Sequence, residues 1–300
     1  MKIAYFGLPL GALLLGRDGH ELGTVVLSPV DAPGRRRLEQ RAPQLIEARP
    51  GSQGASNDLE ARIDAAMSSE PVDLLVSWFW TRKLPSRWLM RAKLGGVGVH
   101  PSLLPRHRGP NPYFWAIDQG DERTGVTLHR LTEEYDDGKL LASRDLLVGE
   151  RDAWQLARAL DRPSLSLLRE AVARLARGER LPELEQDEAL ATWAPEPSGA
   201  ELRVDFGWTT ERALRRIRAL SPTPGVALEV ASVPLFVTRA VRAERFVEAL
   251  LPGEAHISEA LVLRTSDGAV KVTRAFFPDL DADATTASEV AALMKRAAQP

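Results

Sequence analysis

His100 is the residue of this chain best placed for proton chemistry. It heads a proline-rich loop and is followed, one apolar stretch later, by the acidic run Glu133-Glu134-Tyr135-Asp136-Asp137-Gly138. An imidazole titrates near neutral pH, and a carboxylate beside it orients the ring and stabilises its protonated form, so the two together can move a proton in either direction. The same residues have a plainer explanation. A histidine in such a loop is usually a hydrogen-bonding strut, and Asp-Asp-Gly is usually a turn. Residue types and spacing alone leave both open. Ser102 has no partner at triad spacing and reads as a loop-structuring hydroxyl, not a nucleophile.

The elements around His100 decide whether such a pair can meet. Val97–Val99 reads as a short buried strand, which puts His100 just past its end, where open α/β sheets place ligand-contacting groups. Pro101, Pro105, Pro110 and Pro112 restrict φ and disfavour helix, while Gly109 permits a positive φ, so the loop is expected to be stiff and tightly turned. Gly125–Leu131 reads as a second strand that carries Asp136 back to the same region.

Lys2–Phe6, Gly23–Leu27 and Asp73–Trp78 read as further strands, with helical segments at Leu10–Arg17 and Asp58–Met67, an alternation that predicts a parallel, right-handed βαβ sheet. Gly7-Leu8-Pro9-Leu10-Gly11 lacks the G-x-G-x-x-G spacing, so a dinucleotide is not expected. Asp152–Gly178 is helical in pattern, with a break or kink expected at Pro163. Residues 181–202 are rich in proline and acid and read as a linker. Beyond them come one helix near Thr209–Leu220, short strands at Val226–Val230, Pro234–Val241, Ala260–Arg264 and Val270–Ala275, and a terminal helix near Ala287–Arg296. That pattern suggests a small barrel. The expected division is 1–180, a linker at 181–202, and 203–300.

Three blocks of the central stretch, in this order, resemble the signature of folate-dependent formyltransferases. They are Gly98-Val99-His100-Pro101-Ser102-Leu103-Leu104-Pro105-Arg106-His107-Arg108-Gly109, Thr124-Gly125-Val126-Thr127 and Asp136-Asp137-Gly138. Gln186-Asp187 with Ala191-Thr192-Trp193-Ala194-Pro195 resembles the family's connector, and Arg215 to Gly225 resembles the opening of the C-terminal domain of its tRNA and some sugar branches. The resemblance covers nearly the whole chain. It implies an α/β fold, a Rossmann-like mostly parallel sheet domain followed by a small OB-like β-barrel domain.

It also implies acyl transfer from 10-formyltetrahydrofolate to a primary amine with no metal, His100 and Asp136 being the catalytic pair. Gly98 stands where the family has an asparagine thought to donate to the developing oxyanion. Losing one such donor typically costs about 2.7 to 4 kcal/mol of barrier, and a main-chain N–H or a water is the expected substitute. The residues matched to the cofactor pocket are Phe79, Trp80, Arg82, Leu84, Ser102, Leu103, Leu104, Tyr135, Asp137 and Gly138. Clustered Trp and Phe equally suit core packing. Arg82 and Lys83 suit either the glutamate tail of a folate or plain solvation.

Composition narrows the classes further. Three hundred residues suffice for two domains, and 44% apolar with 27% charged residues is ordinary for a globular chain. The absence of cysteine excludes disulfides, thiol nucleophiles and thiolate metal sites, and favours a cytoplasmic setting. The N-terminal apolar run reads as strand then helix, not as a signal peptide, and no membrane partner is expected.

A net charge of −2 exerts no global pull towards nucleic acid. Arg35-Arg36-Arg37 after the loop Ser28 to Gly34 resembles a basic loop of the tRNA enzymes, yet three arginines opening a helix that also holds Glu39 are usually a solvated face. Residues 203–300 carry 13 Arg and Lys against 12 Asp and Glu, little for an RNA platform. The reading therefore favours a small-molecule amine such as an amino sugar, in a monomer or homodimer. Methionyl-tRNA is the alternative acceptor, and an attenuated protein that binds folate or another acyl donor is the second alternative.

Overall fold

Apolar runs separated by helical segments close, in the computed structural model, into a seven-stranded sheet. The structure describes residues 1–30, 32–42, 44–48, 53–69 and 71–298, with 53–57 as backbone alone; Asp31 of the Ser28 to Gly34 loop lies outside the described residues. The strands are β1 (Lys2–Gly7), β2 (Glu21–Leu27), β3 (Gln44–Glu47), β4 (Leu74–Trp78), β5 (Gly96–His100), β6 (Arg123–Arg130) and β7 (Leu140–Leu147), in the order β3-β2-β1-β4-β5-β6-β7. The first five pair in parallel, and β6 returns antiparallel to β5. β4 and β5 are buried along their whole length, as expected where a parallel sheet is covered on both faces. The chain is thus Rossmann-like in this part, as the alternation predicts.

The helices that accompany these strands are α1 (Pro9–Arg17), α2 (Arg35–Glu39), α3 (Gln53–Ser69), α4 (Ser86–Leu89), α5 (Pro112–Asp118) and α6 (Ala153–Ala176). Two of them correct the reading of proline. Pro112 does not prevent a helix but opens α5, occupying its first turn where a missing N–H costs nothing, and Asn111 Oδ1 caps the turn by accepting the Phe114 N–H at 3.2 Å. Pro163 lies inside α6, which runs unbroken through it. Leu156, Leu160, Leu168 and Val172 are all at most 1% exposed, and that continuous buried stripe outweighs the one lost hydrogen bond.

The chain falls into two compact units. One comprises residues 1–110, 124–146 and 160–193, the other 111–123, 147–159 and 194–300. Within the second, α7 (Thr210–Ala219) precedes β8 (Val226–Val230), β9 (Val233–Arg242), β10 (Ala255–Ile257), β11 (Leu261–Arg264), β12 (Ala269–Phe277) and β13 (Ala282–Ala284), and α8 (Ala287–Ala297) follows them. These strands form an antiparallel sheet in the order β10-β11-β12-β9-β8, with β13 pairing the last residues of β12, Ala275 to Phe277.

A buried ionic knot ties α5 to α7 in this unit. The Asp118 carboxylate, 2% exposed, accepts from Arg216 Nε at 2.6 Å and Nη2 at 3.0 Å and from Arg212 Nη2 at 2.9 Å. Arg216 Nη1 also donates to the carbonyls of Ala200, Glu201 and Arg203. Both guanidinium groups lie over the Trp208 ring, a cation–π contact.

Candidate active site

His100 is the last residue of β5 and is only 6% exposed, so it sits at a covered strand end and not in an open mouth. The strand runs one residue further than Val97–Val99 because His100 pairs with Thr127 of β6. Residues two apart on a strand share a face, so Gly98 and His100 face the same way as their partners His129 and Thr127. Thr127 Oγ1 donates to the Ser102 carbonyl at 2.7 Å and accepts the Leu104 N–H at 3.1 Å, folding the loop back over the strand end. Ser102, fully buried, donates its hydroxyl to the Arg106 carbonyl at 2.6 Å, the loop-structuring role expected of it.

This loop and the one after β6 bring the acid–base pair together. His100 Nδ1 lies 3.3 Å from Asp136 Oδ2, and its Nε2 lies 2.7 Å from the His107 carbonyl. A carbonyl only accepts, so Nε2 carries a proton and Nδ1 faces the carboxylate. Asp136 Oδ2 also accepts the Gly109 N–H at 2.9 Å, while Oδ1 faces His129 Nε2 at 3.6 Å. Burial holds His129 below the ordinary histidine range; Asp136 opposes that shift and His100 adds to it.

Phe79, His107 and Asp136 all take left-handed backbone conformations, with φ of 59°, 61° and 56°. Such conformations in residues other than glycine cost on the order of 1–3 kcal/mol and gather at functional sites. At Asp136 the fixing partner is Gln186. Its Nε2 donates to the carbonyls of Asp136 and Gly138, at 2.7 Å each, and its Oε1 accepts from Arg108 Nε and Nη2 at 3.1 and 2.8 Å. Gln186→Ala should therefore release the Asp136 turn, lowering stability by about 1–3 kcal/mol and kcat more than KM. Urea denaturation alongside steady-state kinetics checks this.

The residues matched to a cofactor pocket divide by placement. Phe79 follows β4, its carbonyl accepting from the Ser28 hydroxyl and its ring set edge-on to Trp78 at 4.9 Å. Trp80 packs edge-on against Phe6 at 5.4 Å, and Leu84 is 5% exposed in the same cluster, so both also do core packing. Arg82 is half-buried. Lys83 pairs with Glu134 at 2.7 Å and lies 5.7 Å above the Tyr135 ring. Tyr135 stands 6.2 Å from Trp193, which is half exposed and covers Gly109.

Leu103 packs against Gly125, and Leu104 is buried. Asp137 is exposed and accepts from the Thr132 hydroxyl. Gly138 is buried, and a Cβ there would stand 2.0 Å from the Arg130 carbonyl oxygen, which no side chain can satisfy. Sequence reasoning passed over His129 as a site residue, the Gly109 N–H and the clamp at Gln186. For His129 one signal was available: on β6 it shares a face with Thr127.

Among the described residues no group of three or more His, Asp or Glu is placed to hold a metal ion, and no helix is long and apolar enough to cross a membrane.

The chain thus pairs a histidine with a carboxylate on a Rossmann-like sheet and continues into an antiparallel β unit, an arrangement able to move a proton. The sequence pattern described as formyl transferase matches residues 12–171, and that of the formyl transferase C-terminal domain matches 198–284. The chain belongs to the formyl transferase family. It is 32% identical to the methionyl-tRNA formyltransferase of Bacillus licheniformis over 91% of this chain and 89% of that protein. Among solved structures it is similar to an N-formyltransferase from Helicobacter canadensis crystallised with folinic acid and dTDP-3-aminofucose, with TM-score 0.67, 12% identity and 91% and 98% of the two chains covered. It is also similar to HypX from Aquifex aeolicus in complex with tetrahydrofolic acid, with TM-score 0.64 and 24% identity. That match covers 92% of this chain but only 44% of the HypX chain. At such identities the structural likenesses speak for the fold.

Proposed function

We propose that this formyl transferase takes its formyl group from 10-formyltetrahydrofolate and passes it to the primary amine of a small molecule such as an amino sugar. The observation that carries the reading is the buried His100–Asp136 pair, set between the rigid Ser102–Gly109 loop and the clamped Asp136 turn. The donor supplies an acyl carbon open to attack by a neutral amine. The chain's part is to hold the pair, exclude water and move the proton that the amine loses. His100 takes up that proton, Asp136 stabilises the imidazolium that results, and the proton passes to the folate nitrogen as its bond to the formyl carbon breaks.

A folate fits the residues around this pair. Phe79, Trp80, Arg82, Leu84 and the segment Tyr135, Asp137, Gly138 would hold it, together with Ser102, Leu103 and Leu104. The indole N–H groups of Trp78 and Trp80, on either side of left-handed Phe79, are buried with no hydrogen-bond acceptor. Buried donors of that kind suit a flat heterocycle rich in acceptor atoms.

The near-neutral charge of residues 203–300 supports a small acceptor, and Arg35 of the basic run is engaged by Glu39 and Glu47. Methionyl-tRNA is the second reading, favoured by the name of the relative that is 32% identical. An RNA platform that neutralises several phosphates loses affinity steeply with salt, whereas a small-molecule site does not. The expected result is weak tRNA binding with a shallow salt slope, measured by filter binding, and folate release with amino sugars. Sub-micromolar tRNA affinity at physiological salt, lost when Arg35, Arg36 and Arg37 become alanine, would transfer the assignment to tRNA. No turnover with any amine, but retained folate binding, would support an attenuated protein.

A further inference from the structure

We propose that His129 is a positioning residue of this site: its ring lies across the strands from Gly98, and its Nε2, set against the far oxygen of Asp136, keeps that carboxylate turned towards His100. The inference rests on the formyl transferase reading of the site and adds a residue to it.

The register of β5 and β6 puts Gly98 directly opposite His129. A Cβ built at residue 98 would lie 3.5 Å from His129 Nε2 and 2.7 Å from Leu131 Cδ2. A side chain at 98 must therefore displace the leucine, and one longer than a methyl group also reaches this ring.

The hydrogen bonds fix which nitrogen faces what. His129 Nδ1 lies 2.8 Å from the Arg130 carbonyl, which only accepts, so Nδ1 carries the proton and Nε2 is left facing Asp136 Oδ1 at 3.6 Å. His100 is arranged in the same way, with Nε2 committed to the His107 carbonyl and Nδ1 facing Asp136 Oδ2. Two imidazoles, each with one N–H held by the main chain, thus turn their remaining nitrogens to the two oxygens of one carboxylate.

Two neutral rings would set lone pairs against that carboxylate from both sides, and one added proton relieves the repulsion. Where it resides follows from burial. His129 is 3% exposed and is held below the ordinary histidine range by desolvation, with His100, Asp136 and Asp137 as the charged groups acting on it and Arg130 beside it on β6. Its Nε2 therefore stays a lone pair, and the proton that the amine gives up comes to rest on the other side, between Asp136 and His100. His129 itself is too enclosed to meet substrate.

The test has a spectroscopic arm and a kinetic arm. In nitrogen-15 spectra of the full chain, His129, assigned through its own substitution, should show the Nδ1–H tautomer near neutral pH, and Asp136→Asn should shift its Nε2 signal. An Nε2–H tautomer, or a signal indifferent to Asp136→Asn, would overturn the proposal whether or not the protein transfers formyl groups. In kinetics, His129→Phe should lower kcat on the order of tenfold to a hundredfold with little change in KM, and His129→Gln, which keeps a polar group, should recover part of the loss.

Gly98→Asn should also lower kcat, and part of its effect should disappear when His129→Ala has already cleared the histidine's share of the space, a non-additivity diagnostic of contact. Equal losses in the Phe and Gln variants, or strict additivity with Gly98→Asn, would assign His129 a packing role alone. A wild-type chain without formyl transfer would defeat the functional reading, and the spectra would still decide the place of His129.

Discussion

Alanine in place of His100 should abolish measurable formyl transfer, lowering kcat by about 10²- to 10⁴-fold, the range lost when a positioned acid–base group is removed. Of the two imidazoles that commit one nitrogen to the main chain and turn the other to Asp136, His100 lies nearer the carboxylate, at 3.3 Å against 3.6 Å for His129. Asp136→Asn should be nearly as damaging. The amide removes the charge that stabilises an imidazolium, and it presents an N–H or a neutral oxygen to the Gly109 N–H that the carboxylate accepts. The measurement is release of tetrahydrofolate in the presence of an amine acceptor, with circular dichroism to show that each variant folds. Rates equal to wild type in both variants would remove the pair from the mechanism.

The largest effect on stability should come from Asp118→Ala, which leaves the buried Arg216 guanidinium without its counter-ion. Breaking a buried pair from one side costs about 3–5 kcal/mol, because the remaining charge stays desolvated. The side chains of Asp118 and Arg216 are 2% and 6% exposed, and Arg212 is a second donor to the same carboxylate. Asp118→Asn should be milder, since the amide keeps one acceptor for the two arginines.

The same knot sets an acid limit on folding. Burial alone would raise the Asp118 carboxyl, but hydrogen bonds from Arg216 and Arg212 outweigh it and hold the group below the usual carboxylate range. A group lowered by folding adds stability above its unfolded pKa and loses that contribution as pH falls through the folded one. Wild type should therefore lose stability as the pH drops below about 4, more steeply than the Asp118→Ala variant. Chemical denaturation across that pH range gives both numbers, and parallel pH profiles would show that the pair does not couple to folding.

Much of the fold was readable before any coordinates because the signals are local. Strand runs such as Leu74–Trp78 and Val226–Val230, and helices such as Pro9–Arg17 and Thr210–Ala219, announce themselves by apolar pattern and turn residues within a dozen positions. The short β3 and the alternating, half-exposed β7 did not, since four residues, or a strand lined with charge, resemble loop until a neighbouring strand pairs with them. Pro112 costs α5 nothing because a first-turn position has no hydrogen bond to lose, and the break expected at Pro163 is absent because the buried stripe of α6 outweighs the bond lost there; neither circumstance can be seen from residue type.

By itself the sequence determined the membership in a formyl transferase family, the α/β order of the first part and the presence of His100 and Asp136, because those rest on residue types at fixed spacing along the chain. The tertiary structure alone decided what lies beside them. Cross-strand register set His129 against Gly98, and a clamp from Gln186, fifty residues along the chain from Asp136, holds the carboxylate in a left-handed turn. Register and long-range hydrogen bonds depend on how whole strands and loops pack, so a residue's neighbours across a sheet leave no mark in its own stretch of sequence.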